Sequence, residues 1–178
     1  LADWLVRPGH PLTARVFVNR LWRWHFGRGL VETCDNFGKQ GDPPTHPHLL
    51  DWLAGELVRG GWSVKHLQRT IVMSATYRMQ SRRRPMAMTV DPDNRLWWRM
   101  PIRRLEAEVL RDSLLAVSGS LDTSMGGSLL HVKNRAYFFD HTSKDQTRYD
   151  SPRRSIYLPV VRNHLFDVFT LFDYTDAS

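Results

Sequence analysis

Apolar residues recur every three or four positions in several stretches of the chain, and helix start and stop signals bracket those stretches. PLTARVFVNRLWRWHFG predicts a helix from about Leu12 to Phe26, opened by Pro11 and closed by Gly27 and Gly29. At about 100° per residue, Ala14, Phe17, Val18, Leu21 and Trp24 fall on one arc, and Arg15, Asn19, Arg20 and Arg23 on the opposite one. The arginine–aromatic alternation of NRLWRWHFGRGL therefore resolves in space into a core face and a solvent face, with Trp22 at the boundary. Phe17, Leu21 and Trp24 are the predicted core. A stacking platform for nucleic acid needs aromatics and cations on one shared surface, which this arrangement separates.

The same reading places a second helix over THPHLLDWLAGELVRGG, with Thr45 as N-cap, Pro47 in the first turn and Gly60-Gly61 as the stop. Ser63 caps a third, VKHLQRTIVMSATYRMQ, whose Val64, Leu67, Ile71, Val72 and Ala75 form one apolar arc. SRRRPMAMTVDPDNRLWWRMP reads as a loop, built around three prolines and the turn signal DPDN. RRLEAEVLRDSLLAVSG predicts a fourth helix from about Arg103 to Ser118, and NHLFDVFTLFD a last one. Between them GGSLLHV, RAYFF and RRSIYLPV are short, rich in β-branched and aromatic residues, and read as strands. The expected fold is mainly α (α+β): one helix-rich domain over 1–178, helical over 1–121, with a small antiparallel β segment within 122–161 and a helix over 162–173.

Charge changes this picture in one place. The net charge is +7, yet residues 1–58 are balanced and residues 105–178 slightly acidic. The excess lies in 59–104, which holds eleven Lys or Arg against two Asp. Lys65, Arg69, Arg82, Arg83 and Arg84 are the candidate binding residues for a polyanion. Arginine suits carboxylate pairing as well as phosphate binding, so nucleic-acid binding is suggested by charge alone, and expected internal pairing of arginines and the lack of a recognised motif count against it.

The candidate chemistry is sparse. Cys34 is the single cysteine, which excludes an intrachain disulfide and a cysteine-based zinc site. The pair His46 and His48 beside Asp42 has ligand-type residues, but a spacing of two at a helix start turns the rings apart, and no metal is predicted. GxSxG, P-loop, GxGxxG and CxxCH strings are all absent. No apolar run approaches a membrane span, and LADWLVRPGH is not a signal peptide. On the fourth helix Glu106 lies between two apolar arcs, so a buried tie to Arg103 is expected, within a structural polar network of Asn19, Arg20, Arg78, Arg103 and Glu106. Glu106, Asp112 and His46 are the catalytic candidates, although Asp112 is about 120° around the helix from Glu106, which does not favour a paired-carboxylate glycosidase. The start without Met and the stop at DYTDAS lead us to expect a piece of a longer protein.

The strings LADWL, PLTARVFVNRLW, FGRGLVET, NFGKQGDPPTHPHLLDWLA, GWSVKHLQRTIVMSATYR, DPDNRLWWR, RRLEAEVLRDSLLAVSG and RRSIYLPVVRN together resemble the planctomycete family called domain of unknown function 1553, over nearly the whole chain. Asn19, Arg20, Gly27, Gly29, Gly41, Pro44, Thr45, His46, Pro47, Trp62, Ser74, Tyr77, Arg78, Arg103, Arg104, Glu106, Arg111 and Asp112 match its usual motif. His48 departs from it: the family has Glu there, which would complete a capping box with Thr45. The resemblance implies a large exported protein, extracytoplasmic in the periplasm or cell envelope, in which a c-type haem domain and a second uncharacterised domain precede this one. No cofactor is expected in the chain itself. The resemblance supplies no activity; the expected role is a helical interaction or scaffolding module, whose partners are neighbouring domains of the same protein or an acidic envelope polymer or polysaccharide. An enzyme domain acting on extracellular polysaccharide is the first alternative, and polyanion or nucleic-acid binding through 59–104 the second.

Overall fold

The computed structural model describes residues 1–5, 7, 9–127, 129, 149–160, 165–172 and 174. They form seven α-helices: α1 (Ala2–Leu5), α2 (Thr13–Phe26), α3 (Pro47–Arg59), α4 (Val64–Met73), α5 (Pro85–Val90), α6 (Ala107–Val117) and α7 (Asp167–Leu171), with one 3₁₀ turn at Ser155–Tyr157. The chain divides into two compact units, Leu1–Arg103 and Arg104–Ser178.

In the first unit α2 packs on α3 and α3 on α4. Local signals set the helix ends. Gly27 takes a left-handed φ of 86° and returns its N–H to the Arg23 carbonyl, ending α2. Pro47 occupies the first turn of α3, where its missing N–H leaves nothing unsatisfied. The N-cap of α3 is His46, one residue later than expected, and the Thr45 hydroxyl turns away to donate to the Leu30 carbonyl at 3.3 Å. Ser63 caps α4 by accepting the His66 N–H at 3.3 Å. Across α2 and α3, Arg15 donates to Asp51 at 2.6 Å, and this hydrogen bond holds the Asp51 carboxyl below its ordinary pKa. Arg59 does the same for Glu56 within α3.

The core of this unit is Val18, Leu21, Trp22 and Phe26 of α2 with Leu50, Leu53 and Leu57 of α3, Leu67 and Ile71 of α4, and Trp97. The buried arc of α2 is thus rotated roughly a quarter turn from the predicted one. Trp22 is 3% exposed, whereas Trp24 is 67% and Phe17 39% exposed. Expecting Phe17 and Trp24 in the core was wrong because the wheel ranked positions by local hydrophobicity alone. What buries Trp22 is tertiary: its ring stacks on Phe26 at 4.1 Å and meets Trp97, 75 positions along the chain, edge-on at 5.5 Å.

Asn19, expected on the solvent face, is fully buried. Its Nδ2 donates to the Val31 carbonyl at 2.9 Å and its Oδ1 accepts the Val31 N–H at 2.8 Å, which pins the segment leaving α2 back onto the helix. Gly29 is required beside this clamp, since a Cβ there would stand 2.4 Å from the Val31 carbonyl oxygen and 2.8 Å from Asn19 Nδ2.

In the second unit α6 packs on α7 and on the 3₁₀ turn, around Ala107, Leu158 and Phe169. The predicted antiparallel β segment is not present among the described residues. RRSIYLPV, read as a strand, contains the 3₁₀ turn, and the only ladder contact there is an isolated parallel bridge between Asp122 and Arg153. The physical reason lies in Ser155, whose N–H and hydroxyl both bond to Asp112 and so fold the segment back on α6. RAYFF and most of GGSLLHV lie outside the described residues.

Candidate functional site

The loop from Asp91 to Met100 is organised by its own polar groups. The buried Asp91 carboxylate accepts the N–H groups of Arg95 and Leu96 at 2.9 and 2.8 Å, and its carbonyl accepts the Trp98 indole N–H at 2.9 Å. Asn94, also buried, exchanges two hydrogen bonds with the backbone of Arg99. Asn94 and Trp97 hold left-handed φ values of 54° and 56°. For Asn this is a familiar turn conformation, but for Trp it is strained, and such strain persists only where the surroundings over-determine it. Here they do: Trp97 is 5% exposed, with Phe26 at 5.0 Å and Trp22 at 5.5 Å.

Fixing Trp97 fixes what surrounds it. An open cleft of about 330 Å³ is lined by Arg28, Arg83 and Arg99, by Asp93 and Asn94, and by Phe26, Trp97, Pro101 and Ile102. Arg28 donates to the Asp93 carbonyl at 2.8 Å and lies over the Trp97 ring at 5.8 Å. Arg99 covers the Trp98 ring at 5.1 Å, and its Nε is buried without a hydrogen-bond partner. Arg83 is exposed on the segment leading into α5. None of the three forms an ion pair among the described residues, in contrast to Arg15, Arg20, Arg59 and Arg111. A second cleft of about 460 Å³ adjoins Arg28 on another side, but there Arg23 and Arg28 are offset by Glu32 and Asp35.

Among the residues singled out from sequence, only Arg83 lies in the three-arginine cleft. Lys65 and Arg69 are exposed on α4, and Arg82 and Arg84 are exposed beside Arg83. Arg28 and Arg99 were missed. Arg28 sits in a charge-balanced segment, and only the spacing of arginine against buried aromatics in FGRG and WWRM could have signalled them.

The proposed buried tie of Glu106 to Arg103 is corrected by the helix boundary. Helix α6 starts at Ala107, and Glu106 is its exposed, extended N-cap with no side-chain capping bond. Wheel positions assigned to Arg103, Leu105 and Glu106 therefore do not apply. Arg103 instead packs on Gly27 and donates to the Trp24 carbonyl. Arg20 lies 3.8 Å from Asp35 at the surface, and Arg78 is exposed.

The buried guanidinium of α6 is Arg111. It donates to the carbonyls of Arg153 at 2.9 Å and of Ser151, and to the Ser155 hydroxyl at 3.2 Å. Burial lowers its pKa, while Asp112, 3.5 Å away, opposes that shift. Asp112 in turn accepts the Ser155 N–H at 2.7 Å and hydroxyl at 2.6 Å. This catalytic candidate is thus engaged in holding the second unit together. His46 shares a hydrogen bond with the Thr45 hydroxyl at 3.0 Å. No group of three or more His, Cys, Asp or Glu suited to a metal occurs among the described residues, and no described helix is long and apolar enough to cross a membrane.

Three arginines without ion-pair partners among the described residues thus share one cleft, while the Asp112 carboxylate is bonded to Ser155 and Glu106 is exposed. Neither a curated protein nor a solved structure matches the sequence. A family match does exist and extends across both units: over residues 1–178 the chain belongs to the PSD1 family, described as a protein of unknown function (DUF1553).

Proposed function

We propose that this chain is a non-catalytic interaction module of a larger extracytoplasmic protein, docking on an acidic neighbouring domain or envelope polymer through its arginine-rich face. The observation that carries the reading is the cleft lined by Arg28, Arg83 and Arg99, none of which has an ion-pair partner among the described residues. Like charges held on one concave surface focus potential and attract an anionic partner. The exposed run Arg82-Arg83-Arg84 and the α4 residues Lys65 and Arg69 extend the positive surface.

The extracytoplasmic setting and the company of a c-type haem domain come from the family resemblance. That haem would sit in another domain, because this sequence has no CxxCH string and its one cysteine, Cys34, is buried. Retention of the purified chain on immobilised polyanion, measured across a salt series, tests the proposal. Elution should move steeply with ionic strength, and changing Arg82, Arg83 and Arg84 together to Ser should abolish retention. Unaltered retention of that triple variant would remove the basic face from the reading.

A further inference from the structure

The geometry points to a defined subsite: the cleft formed by Arg28, Arg83, Arg99 and Asp93 binds one uronate residue, the carboxylate-bearing sugar of an acidic polysaccharide. The inference rests on the interaction-module reading and names the group that the module recognises.

Three features select this ligand. First, the guanidiniums are planar donor forks without carboxylate partners among the described residues, and such forks match a carboxylate in bidentate fashion. Arg28 is steered by its bond to the Asp93 carbonyl and by the Trp97 ring, and Arg99 by the Trp98 ring and the Asn94 clamp on its backbone, so two of the three are oriented before any ligand arrives. The Arg99 Nε, buried and unpartnered, leaves that guanidinium under-satisfied within the protein.

Second, Asp93 lines the same cleft. A carboxylate acceptor beside three arginines suits a ligand that carries hydroxyl donors as well as an anionic group. Third, about 330 Å³ is at the lower end of small-molecule sites, a size for one sugar ring rather than a long segment. The exposed Ile102 at the rim offers an apolar contact for the C–H face of such a ring.

The strained loop is consistent with this role. Residues held in left-handed conformations cluster at ligand clamps, and Trp97 carries its strain between the turn that bears Asp93 and the residue Arg99.

The test titrates the full chain with D-galacturonate and D-glucuronate while following arginine Nε–Hε signals by NMR. The signals of Arg28, Arg83 and Arg99 should shift saturably, and Arg99→Gln or Arg28→Gln should weaken binding by about tenfold or more, a loss of about 1.4 kcal/mol. Arg83→Gln, at an exposed position, provides the same readout without risk to the fold, and Arg59→Gln, at an arginine paired with Glu56 on α3 and outside the cleft, should leave uronate binding unchanged. Equal or tighter binding of inorganic phosphate, of neutral galactose or of N-acetylglutamate, with the same dependence on the three arginines, would overturn the uronate assignment. Retention on polyanion that survives while no uronate shifts the three arginines would overturn the subsite and leave the module reading standing. Uronate binding with no polyanion retention would support the subsite and sink the module reading.

Discussion

Two arginine constellations in this chain use the same residue types to opposite ends. In the second unit Arg111 is buried, its guanidinium donates to two carbonyls and a hydroxyl, and Asp112 beside it closes the circuit through Ser155. In the first unit Arg28, Arg83 and Arg99 line a cleft with no carboxylate paired to any of them among the described residues. Engagement, rather than residue type, separates the two: a guanidinium bonded to two carbonyls and a hydroxyl beside a carboxylate holds structure, and one without an anionic partner is available to a ligand.

The contrast is broken most directly at Arg111. Its replacement by Ala strands Asp112 and the Ser151 and Arg153 carbonyls, and should cost about 3–5 kcal/mol in chemical denaturation. A variant as stable as wild type would mean that the buried circuit holds nothing. On the other side, the open set depends on its aromatic floor. Trp97→Ala should also cost about 3–5 kcal/mol, whereas Trp24→Ala, at a ring 67% exposed, should cost under about 1 kcal/mol. Equal losses at the two positions would contradict the rotated core of α2.

A smaller effect sharpens the comparison with a paired arginine at the surface. Hydrogen bonding from Arg15 depresses the folded-state pKa of Asp51, so the stabilisation is present above the unfolded carboxylate value of about 4 and is lost as pH falls through the folded value. Both side chains are solvent-accessible, so after screening the contribution is under about 1 kcal/mol. Asp51→Asn should flatten that portion of the acid stability profile, and an unchanged profile would show the pair to be idle. Smallest of all is the stability change at Arg83: Arg83→Gln should stay within about 0.5 kcal/mol of wild type while weakening retention on polyanion. A large loss of stability there would place Arg83 with Arg111 rather than apart from it.

Local sequence carried the helices whose ends are marked by backbone chemistry. Pro47, Ser63, Gly27 and Gly60 bound α2, α3 and α4 within a residue or two of the expected limits at those ends, because a left-handed turn, a missing N–H or a capping hydroxyl acts over one turn. Three features were not legible. The buried arc of α2 is decided by Trp97, far along the chain, which no wheel of α2 contains. Glu106 looked buried only while it was placed inside a helix, and its extended backbone at ψ 151° puts it before the first turn. The cleft joins Arg28, Arg83 and Arg99 from separate segments of one unit, so only the structure shows that they share a surface. The basic block 59–104 did contain Arg83 and Arg99, but a charge count cannot distinguish a lining arginine from an exposed one.

The hydrogen bonds of the Asp91–Met100 loop have a consequence for amide hydrogen exchange. The N–H groups of Arg95 and Leu96 are held by the Asp91 carboxylate, that of Trp97 by the Asn94 carbonyl, that of Arg99 by the Asn94 side chain, and that of Met100 by Gln80. Although these residues belong to no helix or strand, their amides should exchange slowly and with similar opening free energies, as one cooperative unit. Because two of the five bonds end on a single carboxylate, replacing Asp91 should release the whole set together, and with it the placement of Arg99.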